Sequence, residues 1–262
     1  MSNIYFLSDF HLGAPDYEKS LVREKKIVSF LDSIKNDASE IYLLGDVFDF
    51  WFEYSKAIPK GFVRLLGKLA ELSDFGIKLH YFTGNHDMWV FDYLPKELNL
   101  KIYREPTTRE INGKFFYLAH GDGLGPGDFG YKFIKSVFAS KICQWLFARI
   151  HPNLGMSIAQ YWSGKSRKLT EELHFHDEKE WLVIHAREVL KKKHFDYLIF
   201  GHRHLPIDYL LTPALSKGEG AFPPSGETGK GVSRYINLGE WVNHFSYAVF
   251  NGSELTLKYF RD

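Results

Sequence analysis

The sequence contains a single cysteine, Cys143, among its 262 residues. One thiol cannot form an internal disulfide, so the fold does not depend on a disulfide framework and fits a reducing compartment. The chain also lacks an apolar run of about 18 residues, the length needed to cross a bilayer. No charged segment followed by an apolar one precedes the first predicted strand, so we expect no secretory signal. These absences predict a cytosolic protein.

An excess of charge of one sign is also missing. The formal net charge is +1, from 33 basic and 32 acidic residues, so no overall field favours nucleic acid as a partner. We find no internal repeat, no coiled-coil heptads and no feature that requires an obligate protein partner. Hydrophobic residues make up 45% of the chain and aromatic residues 17%, enough for a substantial core.

The first 90 residues alternate between predicted strands and helices. Strands are predicted at Ile4–Ser8, Ile41–Leu44 and Lys78–Thr83, with helices around Lys19–Lys35 and Gly61–Ser73 between them. Apolar positions recur every three or four residues in both helices, as expected of helices packed on a sheet. This βαβαβ pattern predicts a parallel sheet with right-handed crossovers.

The rest of the chain is predicted to be mostly β-structure. Ile102–Ala119 has the pattern of a hairpin with Asn112-Gly113 as its turn. A helix near Glu178–Lys193 precedes the next strand. Five further strands are expected at Tyr197–Phe200, Ile207–Leu211, Arg234–Asn237, Phe245–Phe250 and Leu255–Tyr259. Between the second and third of these, Thr212–Ser233 is rich in Gly, Pro and Ser and is expected to be a mobile loop.

Residues 123–175 differ from this pattern and are predicted to form a helical lid inserted into a single domain of residues 1–262. Two helical segments, separated by Pro152-Asn153, follow the glycine-rich stretch Gly123–Gly127. From Phe129 to Thr170 there is no Asp or Glu, but there are seven Lys or Arg residues. Such a lid suits a substrate with apolar tails and an anionic head. The alternative is a helix pair packed on the sheet with a solvated basic face.

Five of the predicted strands end in polar motifs. The motifs are Asp9-Phe10-His11, Gly45-Asp46-Val47-Phe48-Asp49, Gly84-Asn85-His86-Asp87, His120-Gly121-Asp122 and Gly201-His202-Arg203-His204. Ligand sites in open α/β sheets lie at the carboxyl ends of the strands, so we expect the motifs to meet there. Each motif alone could be ordinary turn chemistry, but five in succession indicate a metal centre.

The candidate metal ligands are oxygen and nitrogen donors: Asp9, His11, Asp46, Asn85, His120, His202 and His204. The set has no thiolate, which argues against a structural zinc site and suits a borderline or hard divalent ion such as Mn²⁺, with Fe²⁺, Zn²⁺ or Mg²⁺ as alternatives. Seven ligands exceed what one catalytic ion with an open position needs, whereas two ions about 3.5–4 Å apart would use them all. Such a pair can acidify a shared water and offset charge on phosphoryl oxygens.

In this order, the five motifs resemble those of the calcineurin-like metallophosphoesterase superfamily. The resemblance implies an α/β fold with two facing mixed β-sheets flanked by helices, in which the β-rich C-terminal part supplies the second sheet. One metal would be held by Asp9, His11, Asp46 and His204. The other would be held by Asp46, Asn85, His120 and His202. His86 would act on the phosphate as proton donor or oxyanion stabiliser, oriented by Asp49.

Several groups within that superfamily fit less well. Protein phosphatases have an Arg after their Gly-Asp-x-x-Asp motif and a Glu after Gly-Asn-His, where this chain has Phe50 and Asp87. A nuclease should carry basic and aromatic residues along a groove, and the near-zero net charge gives little support for one. A non-catalytic scaffold would be expected to have lost ligands, and none is missing from the motifs.

Nearly the whole chain resembles the UDP-2,3-diacylglucosamine hydrolase family, especially its Bacteroidetes-type branch. The matching segments are Ser8–Gly13, Gly45–Trp51, Gly84–Trp89, His120–Tyr131, Tyr161–Lys168 and Gly201–Pro206. The resemblance implies an acylated nucleotide-sugar substrate, cleaved with Mn²⁺ to UMP and 2,3-diacylglucosamine 1-phosphate, and a lid that holds the acyl chains. The substrate contacts implied are Asp128, Tyr131, Ser163, Lys165, Arg167 and Lys168.

One residue departs from the better-known proteobacterial members of that family, which have Gly-Asn-Arg-Asp where this chain has His86. An Arg is a permanent cation, whereas a His can donate a proton near neutral pH. An enzyme acting on another nucleotide or lipid-linked diphosphate would have nearly the same motifs. The apolar, basic lid also predicts transient contact with the anionic inner face of the cell membrane.

Overall fold

A computed structural model describes residues 2–127, 129–159, 180–211 and 232–261. These residues form two mixed β-sheets that face each other and are flanked by helices, which confirms the predicted fold class. None of the helices in the described residues is long and apolar enough to span a membrane.

The first sheet has six strands in the order β11-β10-β1-β2-β3-β4. Its strands are β1 (Asn3–Leu7), β2 (Ala38–Leu44), β3 (Lys78–Phe82), β4 (Lys101–Tyr103), β10 (Ser246–Phe250) and β11 (Leu255–Tyr259). Strands β1 to β4 are parallel, as the βαβαβ pattern predicts. Strand β10 pairs antiparallel with both β1 and β11.

The second sheet has five strands in the order β5-β6-β7-β9-β8. Its strands are β5 (Thr107–Ile111), β6 (Lys114–Ala119), β7 (Tyr197–Phe200), β8 (Pro206–Leu211) and β9 (Ser233–Leu238). Strands β6, β7 and β9 are parallel to one another. Strands β5 and β6 form a hairpin whose turn, Asn112-Gly113, has two positive φ angles, the conformation that Asn-Gly favours in tight hairpins.

The helices are α1 (Tyr17–Ile34), α2 (Val63–Asp74), α3 (Tyr93–Leu98), α4 (Phe129–Ala139), α5 (Lys141–Phe147), α6 (residues 152–159) and α7 (Trp181–Lys192). Asp16 caps α1, because its side chain accepts a hydrogen bond of 2.8 Å from the backbone N–H of Lys19. Helices α4 to α6 belong to the predicted lid, and the remainder of the lid, from residue 160, lies outside the described residues.

Successive side chains of a strand point to opposite faces of its sheet, so each sheet contributes to an apolar core on either side. The fold therefore has four layers, with helices outside each of the two sheets. In β1, Tyr5 and Leu7 belong to the core beneath α1 and α2, whereas Ile4 and Phe6 belong to the core between the sheets. The ring of Phe6 stacks on Phe116 of the second sheet at 6.0 Å. A third core lies between the second sheet and α7. Burial of each such side chain contributes roughly 1.5–3 kcal/mol, which locks the two sheets face to face.

Four details differ from the sequence prediction. The C-terminal strands are divided, because β10 and β11 join the first sheet and not the second. The hairpin begins at Thr107, and Ile102 lies instead in β4, next to β3. Helix α3 was not predicted, and the first lid segment is broken at Ser140 as well as before α6. The predicted loop Thr212–Ser233 lies outside the described residues except for its last two positions.

Candidate metal centre

The seven predicted ligands follow strands of both sheets: Asp9 and His11 after β1, Asp46 after β2, Asn85 after β3, His120 after β6, and His202 and His204 after β7. The sequence predicts that these residues lie at the edge of one sheet, whereas in the structure the edges of two sheets meet at the centre. His120 Nδ1 lies 2.7 Å from the main-chain oxygen of Leu44, and this hydrogen bond joins the two sheets. The centre is therefore built between the carboxyl ends of strands from both layers.

A first group of side chains consists of Asp9, His11, Asp46 and His204, with ligand atoms all within 4.8 Å of one another. The Nε2 atoms of His11 and His204 are 3.0 Å apart. Asp9 Oδ1 lies 3.2 Å from His204 Nε2, and Asp46 Oδ2 lies 3.8 Å from His11 Nε2. Two imidazole nitrogens and two carboxylate oxygens thus converge on one small space.

A second group consists of Asp46, His120 and His202. His120 Nε2 lies 3.2 Å from Asp46 Oδ2 and 3.3 Å from His202 Nδ1. The side-chain oxygen of Asn85 is also 3.3 Å from His120 Nε2. Asp46 Oδ2 therefore faces both groups, and Asp46 is the residue that they share.

The tautomer of His120 follows from its hydrogen bonds. A carbonyl oxygen only accepts, so His120 Nδ1 carries the hydrogen that it donates to Leu44. The neutral ring then has its lone pair on Nε2, the atom that faces Asp46 and His202. A histidine held in this way by a backbone carbonyl is oriented as a metal ligand.

Five of the ligands adopt left-handed backbone conformations that are uncommon for residues other than glycine. Their φ angles are 57° at Asp9, 45° at His11, 52° at Asp46, 67° at His202 and 55° at His204. Backbone hydrogen bonds hold these turns, including Asp9 N to Gly45 O at 3.0 Å and His11 N to Asp46 O at 2.9 Å. Such strain of about 1–3 kcal/mol per residue is typical of functional sites in proteins.

Two motif glycines allow the ligands to approach the backbone closely. A Cβ atom at Gly84 would lie 2.2 Å from Asp46 Oδ1, and one at Gly201 would lie 2.6 Å from Asp9 Oδ2. Both distances are far below a normal contact. Any larger residue at either position would displace a carboxylate from the centre.

The buried carboxylates of the centre would repel one another unless cations lay beside them. Burial raises the pKa of Asp46, but His120, His86 and His11 lower it further, so it stays well below the usual value. Burial lowers the pKa of His11 and His120, but the nearby carboxylates raise both to about 10. Burial and the charge of His120 lower the pKa of His202 to about 4. The two buried aspartates therefore require positive charge beside them.

Divalent metal ions fit this site. Asp9 Oδ1 is buried and accepts no hydrogen bond from the part of the chain that the structure describes. The donors are carboxylate, amide and imidazole groups without thiolate, a set that binds hard or borderline divalent ions. A metal ion would supply the positive charge that protons on His11 and His120 otherwise provide.

His86 and Asp49 lie beside the first group. The backbone N–H of His86 donates to Asp46 Oδ1 at 2.9 Å, and its ring Nδ1 lies 3.0 Å from the main-chain oxygen of Asp49. The Asp49 carboxylate is 3.8 Å from that same Nδ1 and 3.6 Å from His11 Nδ1. The carbonyl of Asp49 is thus better placed than its carboxylate to orient His86.

Residues 2–206 match the family model of the calcineurin-like phosphoesterases. The chain belongs to this family. It is 36% identical over 276 residues to a protein of Porphyromonas gingivalis named UDP-2,3-diacylglucosamine hydrolase, with 100% of this chain and 98% of the relative covered. A protein of Aeromonas hydrophila with the same name is 30% identical over 262 residues, with 97% and 96% covered.

Among solved structures, the phosphoesterase YfcE of E. coli aligns with a TM-score of 0.42 and 14% identity, covering 97% of this chain and 91% of that one. Membership of the calcineurin-like phosphoesterase family, which the sequence match establishes, makes the present protein a metal-dependent hydrolase. The five motifs and the two facing sheets are expected together in that family.

The predicted lid begins beside the second metal group. Asp122, two residues after His120, accepts a hydrogen bond of 2.7 Å from the Tyr131 hydroxyl and pairs with Lys135 Nζ at 2.6 Å. These contacts anchor α4 to the end of β6. Tyr131 is therefore placed near the centre. The other predicted substrate contacts lie outside the described residues: Asp128, Ser163, Lys165, Arg167 and Lys168.

A second anchor of the lid is Trp89, just after the motif that carries His86. Its indole N–H donates to the main-chain oxygen of Phe138 at 2.8 Å. The Trp89 ring also packs 4.7 Å from Phe147, which in turn lies 4.8 Å from Phe52. Helices α4 and α5 of the predicted lid are thus attached to the loops of both sheets that carry the metal motifs.

Sequence reasoning missed residues that position the ligands. Arg23, which is 6% exposed, donates hydrogen bonds of 2.9, 2.7 and 3.1 Å to the main-chain oxygens of Phe10, His11 and Ala14. These bonds hold the β1–α1 loop around His11. A signal was present, because Arg23 lies on the helical face that also buries Ser20 and Ile27. A charged residue at an apolar spacing often has a buried partner.

Asp87 and Glu180 have similar positioning roles. Asp87 is fully buried and accepts hydrogen bonds from Gly84 N at 2.7 Å and Val47 N at 2.8 Å, which ties two metal motifs together. The side chain of Glu180 is 3% exposed and pairs with Arg203 Nε at 3.0 Å. Arg203 lies between His202 and His204 in the sequence of the last motif. Asp87 could have been found from its place in Gly-Asn-His-Asp, whereas no local pattern marks Glu180.

Proposed function

We propose that the protein hydrolyses the pyrophosphate bond of UDP-2,3-diacylglucosamine, giving UMP and 2,3-diacylglucosamine 1-phosphate, a reaction of lipid A biosynthesis. One observation carries the proposal: the relative from Porphyromonas gingivalis named for this substrate aligns with 100% of this chain. The likeness therefore includes the inserted lid, where we expect substrate recognition, and is not restricted to the metal motifs.

Two divalent ions, with Mn²⁺ as the expected metal, complete the proposed site. Asp9, His11, Asp46 and His204 would hold one ion. Asp46, Asn85, His120 and His202 would hold the other. The ions would supply Lewis acidity that lowers the pKa of water and offsets charge on phosphoryl oxygens. The mixed oxygen and nitrogen donors support Mn²⁺, with Fe²⁺, Zn²⁺ and Mg²⁺ as alternatives.

His86 would donate a proton to the phosphate or stabilise its charge in the transition state. The hydrogen bond to the Asp49 carbonyl places hydrogen on Nδ1, so Nε2 is the ring nitrogen that would act on the substrate. Burial lowers the pKa of His86, which favours the neutral ring before substrate binds. An anionic pyrophosphate nearby would raise that pKa and favour the doubly protonated ring, from which Nε2 can donate.

The lid would bind the acyl chains. None of the residues of α4 and α5, all of which are described, is buried, and several of their apolar side chains are exposed. Phe133 is 69% exposed and Trp145 is 56% exposed. The proposed substrate contacts are Asp128, Tyr131, Ser163, Lys165, Arg167 and Lys168, of which Lys165, Arg167 and Lys168 would help to hold the anionic head.

The same lid would bring the enzyme to its substrate. An acylated nucleotide-sugar partitions into a bilayer, and exposed apolar side chains near the exposed Lys141 and Arg149 suit transient contact with an anionic surface. We therefore propose a cytoplasmic protein that binds peripherally to the inner face of the cell membrane. A liposome sedimentation assay with and without anionic lipid tests this: binding that ignores lipid charge contradicts it.

Product analysis tests the proposed reaction. The Mn²⁺-loaded protein is incubated with UDP-2,3-diacylglucosamine, a cyclic nucleotide or bis-p-nitrophenyl phosphate, and the products are identified by mass spectrometry. We expect UMP and 2,3-diacylglucosamine 1-phosphate, with little turnover of the other two compounds. Preferred hydrolysis of either of those would instead indicate a phosphoesterase for another nucleotide or phosphodiester.

A further inference from the structure

A recess of about 330 Å³ lies beside the metal centre. One wall is formed by the β1–α1 loop and the start of α1, and the other by residues 60–62 before α2. Asp49 lines the recess and also contacts the centre, where its Oδ1 lies 3.6 Å from His11 Nδ1 and 3.8 Å from His86 Nδ1. The recess is therefore one side chain away from the place where the phosphate would react. Its volume is within the range of about 300 Å³ and above that is usual for ligand pockets.

Two aromatic rings border this recess. Tyr17, the first residue of α1, is 71% exposed, although tyrosine is usually partly buried. Phe62 has a φ angle of 59° and follows Gly61 at 106°, so two consecutive left-handed residues set the direction of its ring. The ring packs against Phe48 at 4.9 Å and leaves its other side to the recess. Such rings can stack on a flat, weakly polar group.

The charged groups of the recess are mainly acidic. Asp16, Glu24 and Asp49 line it, with Lys60 as the basic residue among its lining side chains. This balance disfavours a phosphate and is too polar for an acyl chain. Asp16 already accepts the backbone N–H of Lys19, and Glu24 accepts those of Arg64 and Leu65. The remaining lone pairs of the carboxylates favour a neutral group that donates hydrogen bonds.

The nucleoside is the part of the proposed substrate with this chemistry. Its base is flat and can stack, and its ribose hydroxyls and base N–H can donate to carboxylates. The glucosamine carries the acyl chains and therefore has to lie with the lid. None of the described residues that line the recess belongs to the predicted lid, so the two halves of the substrate would occupy different walls of the site.

We propose that this recess binds the nucleoside half of the substrate, with the base stacked on Tyr17. The inference rests on the proposed function, since it assigns the position of the UMP half within that reaction. Tyr17 becomes a residue for substrate specificity, and the recess explains why an aromatic side chain is left exposed at the start of α1.

Calorimetric titration tests the proposal with the full-length, Mn²⁺-loaded protein. UMP and ribose 5-phosphate are compared as probes, because both carry a phosphate for the metals and UMP alone carries the base. We expect the wild type to bind UMP at least ten-fold more tightly than ribose 5-phosphate. Tyr17→Ala should reduce that preference by about ten-fold. Tyr17→Phe keeps the ring and should retain it.

Tyr259→Ala is the matched control, since Tyr259 is also a half-exposed tyrosine but lies on β11, outside the recess. It should behave as the wild type. The proposal is overturned if the wild type binds UMP no better than ribose 5-phosphate, or if Tyr17→Ala keeps the full preference. Hydrolysis of UDP-2,3-diacylglucosamine is measured on the same samples. Absence of hydrolysis, together with UMP binding that depends on Tyr17, would overturn the proposed function and leave the nucleoside site in place.

Discussion

Asp46 uses both of its carboxylate oxygens. Oδ2 lies 3.2 Å from His120 Nε2 and 3.8 Å from His11 Nε2, while Oδ1 accepts the backbone N–H of His86. Asp46→Ala should therefore remove metal from both groups, because each loses the shared ligand. Elemental analysis after dialysis measures this, with Asp208→Ala as a control for loss of a carboxylate outside the centre. Retention of wild-type metal content in Asp46→Ala would contradict the shared-ligand assignment.

His86 should affect turnover and not metal content. In His86→Ala we expect kcat to fall by roughly 10²–10⁴-fold, the range typical of a general acid or base. The metal content should match the wild type, because His86 is not among the seven proposed ligands and its ring Nδ1 donates to the Asp49 carbonyl. Steady-state kinetics and elemental analysis on one preparation separate the two effects. Loss of metal equal to that in His120→Ala would show that His86 is a ligand.

Protons on the ligand histidines should be released when metal binds. Without metal, neighbouring carboxylates raise the pKa of His11 and His120 to about 10, so both rings are protonated at pH 7. His202, with its pKa near 4, is already neutral. Metal ligation requires neutral rings, so affinity should rise with pH between 6 and 8. Mn²⁺ titrations in two buffers of different ionisation enthalpy should give different heats; equal heats would rule out this coupling.

At the scale of elements, α1 holds the loop that carries the first metal group. Arg23→Gln would remove three hydrogen bonds to the carbonyls of Phe10, His11 and Ala14 and should destabilise the protein by roughly 2–4 kcal/mol. Lys25→Gln, an exposed position on the same helix, should change stability by less than about 0.5 kcal/mol. Denaturant unfolding of the metal-free and Mn²⁺-loaded proteins measures both. Equal stability of the two variants would contradict the role of Arg23.

The elements that the sequence predicts well are those with a strong local pattern. Apolar runs and helical spacing locate β1, α1, β2, α2 and β3, and Asn112-Gly113 marks the hairpin turn. Sheet membership is a different problem, since β10 pairs with β1 from the other end of the chain, with Ile4 opposite Phe250, and β11 then pairs with β10. Ser140 ends α4 although no Gly or Pro marks the break. Local patterns cannot specify such choices, which depend on packing between the sheets.

The candidate site likewise has parts that local sequence patterns predict and parts that only the folded chain brings together. Its converging Asp, Asn and His side chains could be chosen from the sequence, because each follows a strand and belongs to a short motif, and their role as ligands stays a prediction. The residues that support them could not all be chosen, because Glu180 meets Arg203 only in the folded chain. The hydrogen bond between His120 and Leu44, where the two sheet edges meet, likewise could not be predicted from the spacing of the motifs.

At the scale of the whole molecule, the metal centre lies where two sheets, the lid and the proposed nucleoside recess meet. Asp122 and Trp89 attach the lid next to the second metal group, and Asp49 separates the first group from the recess. A substrate with an acylated sugar on one side of its pyrophosphate and a nucleoside on the other matches this arrangement.

The central claim is that the lid turns a metal-dependent phosphoesterase into an enzyme for an acylated substrate. Comparing kcat/KM for UDP-2,3-diacylglucosamine and UDP-N-acetylglucosamine, with the same Mn²⁺-loaded protein, tests it most directly. Each buried methylene is worth about 0.8 kcal/mol, so a few methylenes held by the lid should raise kcat/KM by orders of magnitude. We predict that the acylated compound is preferred by at least about 100-fold. Equal kcat/KM values for the two sugar nucleotides would contradict the claim.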